Sequence, residues 1–105
     1  MANVLAVNIS LERGTIKQPV DQIQLIENFG IAGDAHAGDW HRQVSLLDQS
    51  SVDKMRALGA SGLTPGIFAE NITTQGIALW DLPIGTLLQV GEALLQVLPP
   101  TLPDL

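Results

Sequence analysis

The chain has 105 residues, of which 46% are hydrophobic and 15% charged, with a formal net charge of −6 and no cysteine. This length suits a single domain, and the hydrophobic fraction is that of a packed core rather than of a disordered segment. The negative charge argues against nucleic acid as a partner, because a polyanion would be repelled. Without cysteine, disulfides, thiolate zinc sites and cysteine nucleophiles are excluded in this chain.

The N-terminal sequence, MANVLAVNIS, has no basic segment of the kind that begins a signal peptide. No apolar run approaches the ~20 residues that a membrane-spanning helix requires. We therefore expect no membrane partner and a cytoplasmic location.

Short apolar segments rich in branched residues predict a series of β-strands, because branched side chains pack well on a pleated surface. The predicted strands, in chain order, are residues 3–11, 23–27, 44–47, 70–74, 87–90 and 93–98. Gly91 and Glu92 join the last two strands in a two-residue loop. A glycine at the first loop position suits a type II′ turn, which needs a positive φ there.

One helix is predicted over residues 48–58. Asp48, Ser50 or Ser51 can cap its N-terminus by accepting from exposed backbone N–H groups, and Gly59 can end it.

The tail PPTLPDL holds three prolines in seven residues and cannot continue as strand or helix. We therefore expect a domain over residues 1–98 and a proline-rich tail over residues 99–105. The elements together predict a mainly β fold, a curled sheet or partial β-barrel with one or two short helices.

The densest polar cluster is GDAHAGDWHR, residues 33–42. Its glycines let a loop approach a ligand closely, and a histidine beside an arginine can bind an anionic oxygen. The alternative is a surface loop whose polar side chains cap their own backbone. A metal site is a further alternative, because the ligand types are present at Asp34, His36, Asp39 and His41. The glycines disfavour the helix that would place both histidines on one face.

A second cluster is TPGIFAENITTQG, residues 64–76. Glu70 and Asn71 stand together at the predicted start of a strand. A carboxylate beside a carboxamide can recognise a heterocycle, since the amide both donates and accepts. In the alternative interpretation, Asn71 caps a turn and Glu70 is solvated.

In series, these segments resemble the MOSC domain, which is found at the C-terminal end of molybdenum-cofactor sulfurases. The shared pattern is a GD-x-H-x-G loop with a following arginine and a VSLL strand, then a helix, then PG-x-F-x-ENITT-x-G, then LPIGT-x-L-x-VGEALL-x-V. The matching positions are Gly33-Asp34, His36, Gly38, Arg42, Val44 to Leu47, Pro65-Gly66, Phe68, Glu70 to Thr74, Gly76, Leu82 to Thr86 and Val90 to Val97. The order and spacing run from about residue 3 to residue 97.

The resemblance implies a β-rich, barrel-like fold and binding of the molybdenum cofactor (molybdopterin), associated with sulfur transfer. It places six residues around the cofactor: Asp34, His36, Gly38, Arg42, Glu70 and Asn71. Within that set, His36 and Arg42 would face phosphate or oxo groups, Glu70 and Asn71 would face pterin nitrogens, and Asp34 and Gly38 would shape the loop. The implied partner is a sulfurase or a molybdoenzyme. Pyridoxal phosphate belongs to the sulfurase partner domain, and we expect none here.

One departure from the family pattern changes the expected activity. In the family, a cysteine and further strands follow the ALLQV strand, whereas here PPTLPDL follows it. We therefore expect a shortened domain that is catalytically impaired, because a sulfur carrier needs a thiolate. Open strand edges and exposed apolar surface would favour a homo-oligomer. Two other classes stay open: a non-catalytic assembly module with a vestigial pocket, and a small metal-dependent hydrolase.

Overall fold

The computed structural model describes residues 2–12, 16–38 and 43–98. In these ranges the chain forms eight β-strands, one α-helix and one short 3-10 helix. The strands are β1 (Asn3–Ile9), β2 (Gln18–Val20), β3 (Leu25–Ile26), β4 (Gly30–Ile31), β5 (Leu46–Asp48), β6 (Ile72–Gln75), β7 (Leu87–Val90) and β8 (Ala93–Gln96). The α-helix, α1, is Gln49–Ala57, and the 3-10 helix is Leu79–Asp81.

The largest sheet has four strands in the order β2-β1-β6-β5. Strand β1 pairs antiparallel with β2 and β6, whereas β5 pairs parallel with β6. Ile72 begins β6, lies opposite both Val7 and Leu46, and is fully buried. Gln18, which begins β2, lies opposite Ile9. The chain segments that lead into β2, β5 and β6 therefore meet near the C-terminal end of β1.

Asp48 joins strand β5 to helix α1 and is one of the three predicted caps. Its carboxylate accepts from the Ser50 backbone N–H and hydroxyl at 3.2 and 2.7 Å, and from the Thr74 hydroxyl at 2.7 Å. Burial by itself raises the pKa of Asp48, but the hydrogen bonds from Ser50 and Thr74 outweigh it and leave the pKa below its ordinary value. Gly59, with φ of 104°, follows the helix as predicted.

Two further sheets have two strands each, β3 with β4 and β7 with β8. The β7–β8 hairpin has the predicted loop, in which Gly91 takes a φ of 59°. Leu87 and Leu94 on this hairpin are 58% and 63% exposed. The hairpin therefore presents apolar side chains to solvent.

The predicted mainly β class is confirmed, although the described strands form separate sheets and do not close into a barrel. Strand β2 was not predicted because it contains Pro19, which cannot donate to a sheet. It is tolerated because β2 is an edge strand. Strand β6 begins at Ile72, later than predicted, so that Glu70 and Asn71 precede it. The predicted tail lies outside the described residues, and the division into residues 1–98 and 99–105 stays a prediction.

The interior is polar rather than apolar. Among the described residues, the buried hydrophobic side chains are those of Ile31, Val52 and Ile72. The buried polar and charged residues are more numerous: Asn8, Ser10, Lys17, Asp34, Asp48, Glu70, Asn71, Thr73 and Thr74. Hydrogen bonding, not apolar contact alone, must therefore hold the centre of the molecule.

In the part of the chain that the structure describes, no helix is long and apolar enough to cross a membrane.

Candidate functional site

Eight residues near the C-terminal end of β1 form one hydrogen-bonded cluster, which we call the polar network. Its members are Asn8, Ser10, Lys17, Asp34, His36, Glu70, Asn71 and Thr73. All except His36 are at most 7% exposed. A buried cluster of this kind is stable only when its polar atoms satisfy one another.

The strands β1 and β2 supply one side of the polar network. Asn8 and Ser10 are two residues apart on the extended segment at the end of β1, so their side chains point to the same face. Lys17 stands directly before β2, and its backbone N–H donates to the Gly66 carbonyl at 3.0 Å. Gly66 has a φ of 88°, and a Cβ there would collide with the Lys17 carbonyl. Only glycine allows this close approach, which fixes the Lys17 backbone.

Asp34 is the acceptor at the centre of the loop between β4 and β5. Its Oδ1 accepts from the Ser10 backbone N–H at 3.0 Å and from Lys17 Nζ at 2.6 Å, and its Oδ2 accepts from the His36 backbone N–H at 3.1 Å. Burial by itself raises the pKa of Asp34. The hydrogen bonds from Lys17 and Ser10, supported by Asn71 and the His36 backbone, outweigh it, and the pKa lies below its ordinary value. Asp34 is therefore a buried carboxylate.

Lys17 is the cation of the polar network, and its side chain is 0% exposed. Its Nζ donates to Asp34 Oδ1 at 2.6 Å and to the Ser10 hydroxyl at 3.2 Å, and it lies 2.9 Å from His36 Nδ1. Three acceptors match the three protons of an ammonium group. A buried ammonium needs this complete set, because an unpaired charge in the interior is strongly unfavourable.

His36 is where the polar network reaches the surface, with 28% of its side chain exposed. The loop around it is shaped by Gly33 and Gly38, which have φ of 83° and 143°. The Gly38 N–H donates to the Phe29 carbonyl at 2.6 Å, which ties the loop back to the β3–β4 hairpin. A Cβ at Gly33 would meet no atom within 4 Å, so the space beside that end of the loop is open.

Glu70 and Asn71 form the other side of the polar network. Glu70 accepts from the Phe68 backbone N–H at 3.2 Å and from the Thr73 hydroxyl at 2.9 Å. Asn71 donates to the Asn8 carbonyl at 3.1 Å and accepts from the Ser45 backbone N–H at 3.0 Å. Asn71 thus joins the end of β1 to the segment that leads into β5. Both side chains act here as internal connections.

The structure brings four of the six predicted site residues into one cluster: Asp34, His36, Glu70 and Asn71. Gly38 lies in the same loop as predicted, while Arg42 lies outside the described residues. The predicted contact of Glu70 and Asn71 with a pterin stays a prediction. For it to occur, hydrogen bonds that these side chains make within the protein would have to be exchanged for ligand contacts.

Four members of the polar network were not among the predicted site residues: Asn8, Ser10, Lys17 and Thr73. For Asn8 and Ser10 a signal exists, because they alternate with Val7 and Ile9 in the first predicted strand. Lys17 gives no such signal, since a lone lysine next to a predicted loop is ordinarily solvated.

The metal alternative needs ligand side chains that lie close together. Among the described residues, no group of three or more His, Cys, Asp or Glu side chains is placed to hold a metal ion. Asp39 and His41, which that alternative uses, lie outside the described residues.

A cavity of about 400 Å³ is lined by residues around the start of α1 and Trp80, including Asp48, Ser50 and Gly76. It contains no member of the polar network. Its two carboxylates already have partners, Asp48 in Ser50 and Thr74 and Asp53 in Arg56, so we place the candidate site at His36.

Fold and site together define a small, mainly β domain built on a buried charged network with one histidine at its edge. The MOSC domain family model matches residues 33–103, about two thirds of the chain. The chain therefore belongs to the MOSC domain family, which is associated with the molybdenum cofactor. Neither the curated proteins nor the solved structures gave a match. The matched range includes the His36 loop, whereas β1 and Lys17 precede it.

The site can be tested against the chemistry of that cofactor. Its phosphate and oxo oxygens accept hydrogen bonds, and its pterin ring both donates and accepts. His36 fits the oxygen end, because it carries a ring N–H at a partly open position. For the pterin ring, the unpaired Oδ1 of Asn8 is a suitable acceptor, but Asn8 is 0% exposed. The described residues therefore fit the phosphate and oxo oxygens of the cofactor better than its pterin ring.

Proposed function

We propose that this MOSC domain binds the molybdenum cofactor by its phosphate or oxo oxygens at the loop that carries His36, with Arg42 as the second contact. The observation that supports this most is the placement of His36 at the only partly open position of the polar network, as far as the structure describes it. A histidine and an arginine are suited to anionic oxygens, and arginine can bind phosphate with two parallel hydrogen bonds.

In this proposal, Asp34, Glu70 and Asn71 hold the loop rather than the ligand. Asp34 connects the loop to Ser10 at the end of β1, and Asn71 connects Asn8 in β1 to Ser45 before β5. The Glu70 carboxylate accepts from the Thr73 hydroxyl. When bound, the cofactor supplies the molybdenum centre. The residues of this chain bind and orient the anionic oxygens.

Sulfur transfer would need a group that this chain does not contain. A thiolate is the nucleophile in such chemistry, and the chain has no cysteine. We therefore propose a cofactor-binding domain that does not itself carry sulfur. Any sulfur would come from a partner, such as a sulfurase or a molybdoenzyme.

The test is an anaerobic binding titration of phosphorylated molybdopterin and of its dephospho form. Loss of a hydrogen bond to a charged group costs about 1.5–3 kcal/mol, or on the order of tenfold to a hundredfold in affinity. We expect Arg42→Ala to weaken binding of the phosphorylated form by this factor and to change the dephospho form little. Lys54→Met, which removes an exposed cation on α1, is the matched control and should change neither. Equal losses for both pterins would contradict the assignment.

A second candidate function is favoured by the exposed leucines of the β7–β8 hairpin. We propose that this face supports self-association, so that the chain also acts as an assembly module. Sedimentation of a Leu94→Ser variant, together with its binding of phosphorylated molybdopterin, separates this role from cofactor binding.

A further inference from the structure

Lys17 is buried, charged and in contact with the one histidine of the polar network, and the proposed function does not use it. Lysine is rarely buried unless paired. Pairing with Asp34 explains its charge, but not the third contact, at 2.9 Å from Nδ1 of His36.

The contact between Lys17 and His36 determines where the imidazole proton lies. An ammonium group has three donors and no acceptor, so Nδ1 must accept from it. A nitrogen that accepts carries no proton, and the neutral imidazole then has its proton on Nε2, on the far side of the ring. Protonation of Nδ1 would place a second cation 2.9 Å from the ammonium, which is unfavourable.

Asp34 is a second charged group beside His36. Asp34 Oδ2 lies 4.0 Å from Nδ1 and by itself would favour a charged imidazole. However, Asp34 already pairs with Lys17 at 2.6 Å, and its Oδ2 accepts from the His36 backbone N–H. The ammonium is the closer of the two charges to Nδ1, and it donates directly to that atom.

We propose that Lys17 is a positioning residue that holds His36 neutral, with its proton on Nε2 and its ring in one orientation. His36 is then a hydrogen-bond donor of constant charge across the pH range in which a free histidine changes its protonation. The use of this donor for an anionic oxygen rests on the proposed function, whereas the protonation state of His36 does not.

The experiment is a pH titration of the ring ¹⁵N signals of His36 by NMR, on the chain without ligand. His41→Gln removes the second histidine and leaves one set of signals. We expect Nδ1 of His36 to stay unprotonated between pH 5 and 8, where a free imidazole titrates near about 6.5. A wild-type His36 that titrates like a free imidazole would overturn the proposal.

The comparison variant is Lys17→Met combined with Asp34→Asn, which removes both charges and leaves no unpaired buried carboxylate. In this variant we expect Nδ1 to titrate and both tautomers to appear. Lys54→Met removes the same charge from an exposed position and should keep the wild-type profile. If the double variant folds and keeps the wild-type profile, Lys17 does not position His36. If it does not fold, the wild-type titration decides alone.

The two proposals can fail separately. If His36 keeps one protonation state but the chain does not bind phosphorylated molybdopterin, the role of Lys17 stands and the proposed ligand is wrong. If the chain binds phosphorylated molybdopterin but His36 titrates like a free imidazole, the ligand stands and the role of Lys17 is wrong.

Discussion

The polar network and the β7–β8 hairpin distribute their side chains in opposite ways. The network buries Lys17, Asp34 and Glu70, which are charged residue types, whereas the hairpin exposes Leu87 and Leu94. The difference lies in the available partners. Lys17 and Asp34 meet hydrogen-bonding atoms from other segments, and the Glu70 carboxylate accepts from Phe68 and Thr73 beside it. The hairpin strands, in contrast, pair only with each other within the described sheets. Burial in this molecule therefore follows polar complementarity and topology more than hydropathy.

Removing one partner of the buried ion pair should cause the largest loss of stability. Lys17→Met leaves Asp34 as an unpaired carboxylate in the interior, and breaking a buried pair in this way costs about 3–5 kcal/mol. We expect a loss of this size in the free energy of unfolding, measured by urea denaturation.

Two controls separate charge from packing in that experiment. Adding Asp34→Asn to Lys17→Met should restore much of the lost stability, because no unpaired charge remains. Lys54→Met removes a cation 4.7 Å from the Trp80 ring and should cost no more than about 1 kcal/mol. If Lys17→Met alone were as stable as the wild-type chain, the ion pair would not stabilise the network.

Acid should weaken the network and the helix cap together. The pKa of Asp34 and that of Asp48 lie below their ordinary values. A carboxyl with a lowered folded-state pKa contributes stability that is complete above its unfolded-state pKa. That contribution is lost as the pH falls through the folded-state pKa. We therefore expect the free energy of unfolding to fall below about pH 4.

Thermal or urea unfolding between pH 7 and pH 2.5 measures this effect. The variant Asp48→Asn can still cap the helix, and it should show a shallower decline than wild type because one of the two carboxyls is gone. If stability declined with falling pH at the same rate in both chains, Asp48 would not be a source of the acid sensitivity.

The sequence predicted the mainly β class, helix α1 and the turn at Gly91, because these depend on local periodicity and turn chemistry. It also predicted Asp34, His36, Glu70 and Asn71 as cofactor-binding residues; the structure places them in one cluster, and their binding of a cofactor stays a prediction. It could not predict Lys17, since its burial depends on the loop that contains Asp34, 17 positions later in the chain, and on the close approach of Gly66. Such contacts between distant segments leave no periodic pattern in the sequence.

Substitutions on the β7–β8 hairpin should change stability the least and self-association the most. Leu94 is 63% exposed, and Gln96 lies on the same face two residues later. Substitutions at exposed positions usually change stability by no more than about 0.5 kcal/mol. We therefore expect Leu94→Ser and Gln96→Ser to unfold much as the wild-type chain does.

Self-association should distinguish these two variants. If the apolar face holds chains together, Leu94→Ser should shift the sedimentation of the chain toward the monomer, whereas Gln96→Ser, which removes no apolar surface, should not. Equal sedimentation of both variants and the wild type would mean that the leucines do not form the interface. The binding titration with phosphorylated molybdopterin completes the comparison. A monomeric Leu94→Ser chain that still binds the pterin would show that the hairpin assembles the protein while the His36 loop binds its ligand.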